Sequence, residues 1–169
     1  ANSLTYNETS TAGFITMYNG GKIENCVNLG IVVGGDAAGI VGKVTSDITT
    51  TKDHQESGYT TVYVVTRTSI ISSKNLGVVI GANVGGIVGY IQGYPNSCSL
   101  TGCYNLGKIV NGSGDALAGG LIGNMYNAVS LTNGYNAGEV HYAIAGRVFN
   151  KTASIRNVYY LATKAPEGM

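Results

Sequence analysis

The chain has 169 residues, and its ten Lys and Arg are balanced by nine Asp and Glu. Only 11% of residues are charged, which excludes a nucleic-acid binder driven by phosphate neutralisation. Its 26 glycines are roughly double average usage, yet 44% hydrophobic residues, two prolines and a net charge of +1 exclude a disordered chain.

Nothing at Ala1 reads as a charged segment followed by an apolar one, so the expectation is an excised domain or a removed leader. Segments 1–12 and 163–169 are irregular and are expected to act as end caps or as junctions to further domains. Between them the chain repeats itself. Asn28-Leu29-Gly30 recurs as Asn75-Leu76-Gly77, Asn105-Leu106-Gly107 and Asn136-Ala137-Gly138, and decays to Tyr160-Leu161-Ala162. Five residues before each copy stands Ile23, Ile70, Leu100, Leu131 or Ile155. Four residues after the first four stands Val32, Val79, Ile109 or Val140.

A second element alternates with this one: Gly39-Ile40-Val41-Gly42, Gly86-Ile87-Val88-Gly89, Gly120-Leu121-Ile122-Gly123 and Ala143-Ile144-Ala145-Gly146. The apolar stretch Leu76 to Ile91 is interrupted by glycines and Asn83, so it reads as strand, turn, strand rather than a membrane span. The columns are three residues apart, which fits neither an amphipathic helix nor one alternating strand, but fits short strands joined at corners. The fold class predicted is therefore all-β: a parallel β-helix or β-solenoid of about five rungs, repeating over 13–162 within a single domain. The minimal unit is about 23 to 24 residues, and the first copy carries an insertion over 45–69. In that insertion Tyr59 to Thr68 alternates like a strand, predicting a hairpin that leans on the solenoid. Stacking would place the aliphatic columns inside, the motif glycines at corners with positive φ, and Asn28, Asn75, Asn105 and Asn136 in a hydrogen-bonded ladder.

These paired elements resemble the GLUG motif (Gly-Leu-hydrophobic-Gly), whose family follows the glycine element with a segment like Cys103-Tyr104-Asn105-Leu106-Gly107-Lys108-Ile109. Asn157-Val158-Tyr159-Tyr160-Leu161 resembles the way such arrays close. The chain departs from the pattern at Ala143 and Ala145 and in the insertion. The resemblance implies a repeat region of a larger secreted or surface-anchored bacterial protein, such as an adhesin-like chain or the accessory region of an immunoglobulin A-cleaving peptidase. It implies no catalytic residue here, and no His-Glu-x-x-His occurs.

Candidate chemistry is sparse. His54 and His141 have no nucleophile or carboxylate at a recognised spacing. Asp47, Asp53, His54 and Glu56 fall within ten residues, the pattern of a solvated loop or of an oxygen-ligand cation site. Asp36 and Asp115 sit in Gly-Asp-Ala, read as turn chemistry against calcium binding. Cys26, Cys98 and Cys103 lack zinc or redox spacing, leaving Cys98 to Cys103 as the one short-range bridge open. Asn-x-Ser/Thr triplets at Asn7, Asn111 and Asn150 decide nothing in so Asn- and Thr-rich a chain.

The residue before each anchor is Val27, Lys74, Tyr104, Tyr135 or Tyr159. Facing outward, the three tyrosines would form an aromatic strip able to hold a sugar ring or a protein; facing inward, they would be structural. With Tyr59, Tyr63 and Arg67 of the insertion they make up the candidate ligand-binding set. The expectation is a non-catalytic extracellular or cell-surface module for adhesion or spacing. Its partners would be a host glycan or an extracellular protein, beside other domains of the same polypeptide, with no cofactor. The alternative is a carbohydrate-active β-helix enzyme or its accessory carbohydrate-binding region.

Overall fold

The computed structural model describes residues 9–55, 58–112, 118–127, 129–149 and 153–161. Glycine and β-branched residues leave no stretch of helix formers, and the described residues contain strands without helices. The described residues wind through five coils, which pass along four parallel sheets in the same order. The third coil shows the course: Val78–Gly85 in the first sheet, Val88–Ile91 in the second, Cys98–Thr101 in the third and Tyr104–Asn105 in the fourth. The last three sheets take one strand from every coil. The first sheet takes strands from four coils and meets the fifth through a single bridge, Gly119 to Tyr142. This is the expected β-solenoid.

Register follows the repeat columns. Ile23, Ile70, Leu100, Leu131 and Ile155 pair in succession across the third sheet, and all but Ile155 are buried. Ile40, Ile87, Leu121 and Ile144, from the glycine elements, form a second interior stack, and Val79, Ile109 and Val140 a third. Because strands in a parallel ladder lie about 4.8 Å apart, each coil buries its aliphatic side chains against the same residue type above and below. Successive anchors are separated by 47, 30, 31 and 24 residues, so the last coil has the expected minimal length and the earlier ones exceed it, the first interval by the hairpin insertion. The remaining extra length comes from the eight-residue strands of the first sheet and from connections such as residues 92–97.

The asparagine ladder forms as expected. Asn28 donates through Nδ2 to Asn75 Oδ1 at 2.7 Å, Asn75 to Asn105 at 2.7 Å and Asn105 to Asn136 at 2.8 Å. Each Oδ1 also accepts the backbone N–H two residues on, from Gly30, Gly77, Gly107 and Gly138. In the fifth coil Tyr160 takes the asparagine position, and the buried Asn136 Nδ2 is left without an acceptor.

Three expectations are corrected. None of the eleven motif glycines has positive φ; at nine of them, Gly30 and Gly146 apart, close approach of a neighbouring coil leaves no room for a Cβ. A Cβ on Gly77, Gly107 or Gly138 would overlap the carbonyl oxygen of the glycine one coil earlier, and one on Gly39 would lie 2.5 Å from Asn75 Oδ1. The left-handed corner lies elsewhere, three residues before the anchor, at Asn25, Ser72, Gly102, Asn133 and Asn157, with φ between 49° and 63°. Second, the leucine after each asparagine is outside: Leu29, Leu76, Leu106 and Leu161 are all exposed. A buried asparagine in an alternating strand sends both its neighbours outward.

Third, the insertion is an antiparallel hairpin, Ile48–Gln55 with Gly58–Val65, but it projects rather than leans. Its described side chains from Thr49 to Val64 are exposed on both faces. It is fixed at the base, where Asp47 N donates to Thr66 Oγ1 at 2.7 Å and Thr66 Oγ1 to Asn19 Oδ1 at 2.7 Å. All three cysteines are free, so Cys98 and Cys103 are not bridged. Burial pushes the Cys98 thiol up to about 12 and raises that of Cys103.

Candidate functional site

The two-residue strands of the fourth sheet set the geometry of the tyrosine column. With the asparagine buried, the residue before it must face out, and Val27, Lys74, Tyr104, Tyr135 and Tyr159 are paired in that order on adjacent coils. Tyr135 is 40% and Tyr159 64% exposed, Tyr104 is half-buried, and Lys74 Nζ stands 5.6 Å from the Tyr104 ring centroid. The column is therefore an outward strip. Beside it runs the exposed column Leu29, Leu76, Leu106 and Leu161. Sequence reasoning placed these leucines inside because an invariant aliphatic column usually marks a core; alternation about the buried asparagine carried the opposite signal. Lys108 and Glu139, at the edge of this face, pair at 2.9 Å.

The other candidates are not brought to this strip. Tyr59 and Tyr63 stand exposed on the hairpin, which enters between the second and third sheets, whereas the strip is on the fourth. Tyr59 pairs with His54 near the hairpin's tip, their rings edge to face at 5.1 Å. Arg67 lies beyond the hairpin's base, where its carbonyl accepts Gly21 N–H. Tyr59 and Arg67 are eight positions apart, most of them along the strand Gly58–Val65, about 20 Å of extended chain from Tyr59 to Val65 alone. Asp47 is held at the base by Asn19, while Asp53 lies six residues along the strand, so the two carboxylates do not converge. Glu56 lies outside the described residues, as do Asp115, Asn7 and Asn150. Among the described residues no three metal-ligating side chains come together.

A second polar surface was not foreseen. Asp36 lies in a strand, Ile31–Ala38, and not in a turn. Its carboxylate accepts Asn83 Nδ2 at 2.7 Å, and Asn83 Oδ1 accepts Asn124 Nδ2 at 3.2 Å. Burial raises the Asp36 carboxyl above its ordinary range, against the opposing pull of the Asn83 bond and of Lys43. Beside it Lys43 stands 5.2 Å from the Tyr90 ring, and Tyr126 and Phe149 pack at 4.9 Å. Register between the first and second sheets builds this cluster, and no sequence motif marks it.

Residues 80–110 match the family model of the GLUG motif, the stretch running from the glycine element of the third coil through Asn105-Leu106-Gly107. No curated protein and no solved structure matches the chain. Among the described residues no helix is long and apolar enough to cross a membrane.

Proposed function

We propose that this chain is a non-catalytic repeat module of a secreted or surface-exposed bacterial protein, binding an extracellular ligand along the outward face of its fourth sheet. One observation carries the reading: Tyr104, Tyr135 and Tyr159 stand in register and outward beside an exposed leucine column. Such a face joins apolar area to polar tips, the composition of binding surfaces rather than of solvated ones. The near-neutral charge favours recognition by shape and hydrogen bonds over electrostatic steering. The GLUG motif supports the repeat and extracellular part of the proposal.

The test is binding of the immobilised chain to an array of glycans and extracellular-matrix proteins. Binding should be lost in Leu106→Asp and Tyr135→Ala and retained in the hairpin variant Tyr63→Ala. Retention in both strip variants would move the contact elsewhere, and release of reducing ends from any bound polysaccharide would overturn the non-catalytic assignment. A chain that binds nothing on the array would be left with the spacer role alone.

A further inference from the structure

The outward face of the fourth sheet is grooved. At the corner before its last two strands the left-handed residues Asn133 and Asn157 project their amides outward, and Asn157 Nδ2 donates to Asn133 Oδ1 at 3.1 Å. Two residues further on, Tyr135 and Tyr159 form a facing wall. The position between the walls points inward: a Cβ on Gly134 would face Leu121 and Leu131, and Val158 packs on the core. The floor is thus backbone, and the result is an open depression of about 510 Å³ lined by Asn133, Gly134, Tyr135, Asn157 and Tyr159. One coil earlier Gly102 stands in the asparagine position without a side chain, while Tyr104 continues the tyrosine wall. The depression therefore opens along the coil axis.

We propose that this groove binds a neutral, linear polysaccharide running along the coil axis, its ring faces against Tyr104, Tyr135 and Tyr159 and its hydroxyls bonded to Asn133 and Asn157. The inference rests on the reading of this face as the binding surface. Amides and phenols donate and accept in the same group, as a sugar hydroxyl does, and the Asn157–Asn133 bond leaves the Asn133 NH₂ and the Asn157 carbonyl oxygen for a ligand. The C–H face of a pyranose supplies the apolar surface that an aromatic wall accepts. Charge decides against an acidic or sulfated glycan, which needs fixed cations. None of the five lining residues carries one, Lys74 lies over Tyr104, and Lys108 is neutralised by Glu139. The walls repeat at the coil spacing of about 4.8 Å, so a polymer of like units meets like chemistry on each coil.

The experiment titrates the native chain with cellohexaose, xylohexaose and mannohexaose, and with an oligogalacturonate and a heparin hexasaccharide as charged probes. Because the chain has no Trp, emission comes from its twelve tyrosines, and the part of the change lost in Tyr135→Ala reports on the wall. At least one neutral hexasaccharide should bind saturably. Its affinity should fall about tenfold in Tyr135→Ala and in Asn133→Gly, which keeps the left-handed backbone and removes only the amide. Tyr63→Ala should bind as the native chain does. Binding of the charged probes alone, binding of none, or neutral binding that survives both substitutions would overturn the proposal. An extracellular protein whose binding is lost in Leu106→Asp, with no hexasaccharide bound, would remove the polysaccharide and keep the binding face.

Discussion

Glycine shows most sharply how this fold constrains single residues, because one column makes a different demand at its first position than at the rest. Gly107 sits under Gly77, and an added Cβ would overlap that residue's carbonyl oxygen and lie 2.6 Å from Asn75 Nδ2. Neither obstacle is the free end of a flexible side chain: one is backbone and the other is held in the asparagine ladder. Gly30 occupies the same column in the first coil, where the nearest atom to such a Cβ is Asn28 Oδ1 at 3.8 Å, ordinary contact. Gly107→Ala should therefore cost about 3 kcal/mol or more, or prevent folding, whereas Gly30→Ala should be neutral or stabilising by about 0.5 kcal/mol. Urea unfolding followed by circular dichroism measures both. Equal costs would mean that the column is needed for its backbone conformation and not for close approach. The asparagines beside these glycines are held by the same logic. Inside the ladder each amide is satisfied by its neighbours, and the exception, Asn136 Nδ2, falls where the sequence replaces asparagine with Tyr160.

At the scale of the element, the corner before the fourth sheet sets both stability and the shape of the candidate groove. Its left-handed column is Asn25, Ser72, Gly102, Asn133 and Asn157, and only Ser72 is neither glycine nor asparagine, the residues that enter this region at least cost. Ser72→Asn should raise the melting temperature by about 1–2 °C and Ser72→Val should lower it by several degrees, since a β-branched residue is a poor fit to φ of 49°. A thermal melt in which Val is tolerated as well as Asn would show that the corner relaxes rather than strains. This column was legible in the sequence, as an Asn/Gly-rich position at constant distance from the anchor, but the eye is drawn to the more numerous motif glycines. The solenoid and the asparagine ladder were readable because stacking forces equivalent residues into register. The direction of the leucines was not, since an exposed and a buried aliphatic column repeat equally well. The cluster of Asp36, Asn83 and Asn124 was hidden for another reason: Asp36 and Asn83 are equivalent positions of adjacent coils, 47 residues apart like their anchors, but they differ in residue type, and the link from Asn83 to Asn124 crosses to the second sheet at a separation of 41 that matches no repeat.

Among the described residues the molecule is a stack whose sheets bond each coil to the coils beside it, so its stability should be distributed by position along the axis rather than held in common. The three cysteines sample that axis. Cys26 lies half-buried in the first coil, with a neighbour on one side at Ser73, and Cys98 and Cys103 are buried in the third, with coils on both sides. Opening the first coil breaks its bonds to the second alone, whereas exposing the third requires that the stack be divided. Reaction also needs the thiolate, and burial holds the Cys98 thiol up to about 12 and raises that of Cys103, so both should react more slowly than Cys26 while folded. A disulfide reagent at pH 8 should therefore modify one thiol of the three in the native chain, and Cys26→Ser should abolish that fast phase. As urea is added below the midpoint, the rate at Cys26 should change little. Those at Cys98 and Cys103 should rise steeply together, because they follow the opening of most of the stack. If all three thiols react with the same urea dependence, the five coils unfold as a single cooperative body and the nearest-neighbour description of the stack fails.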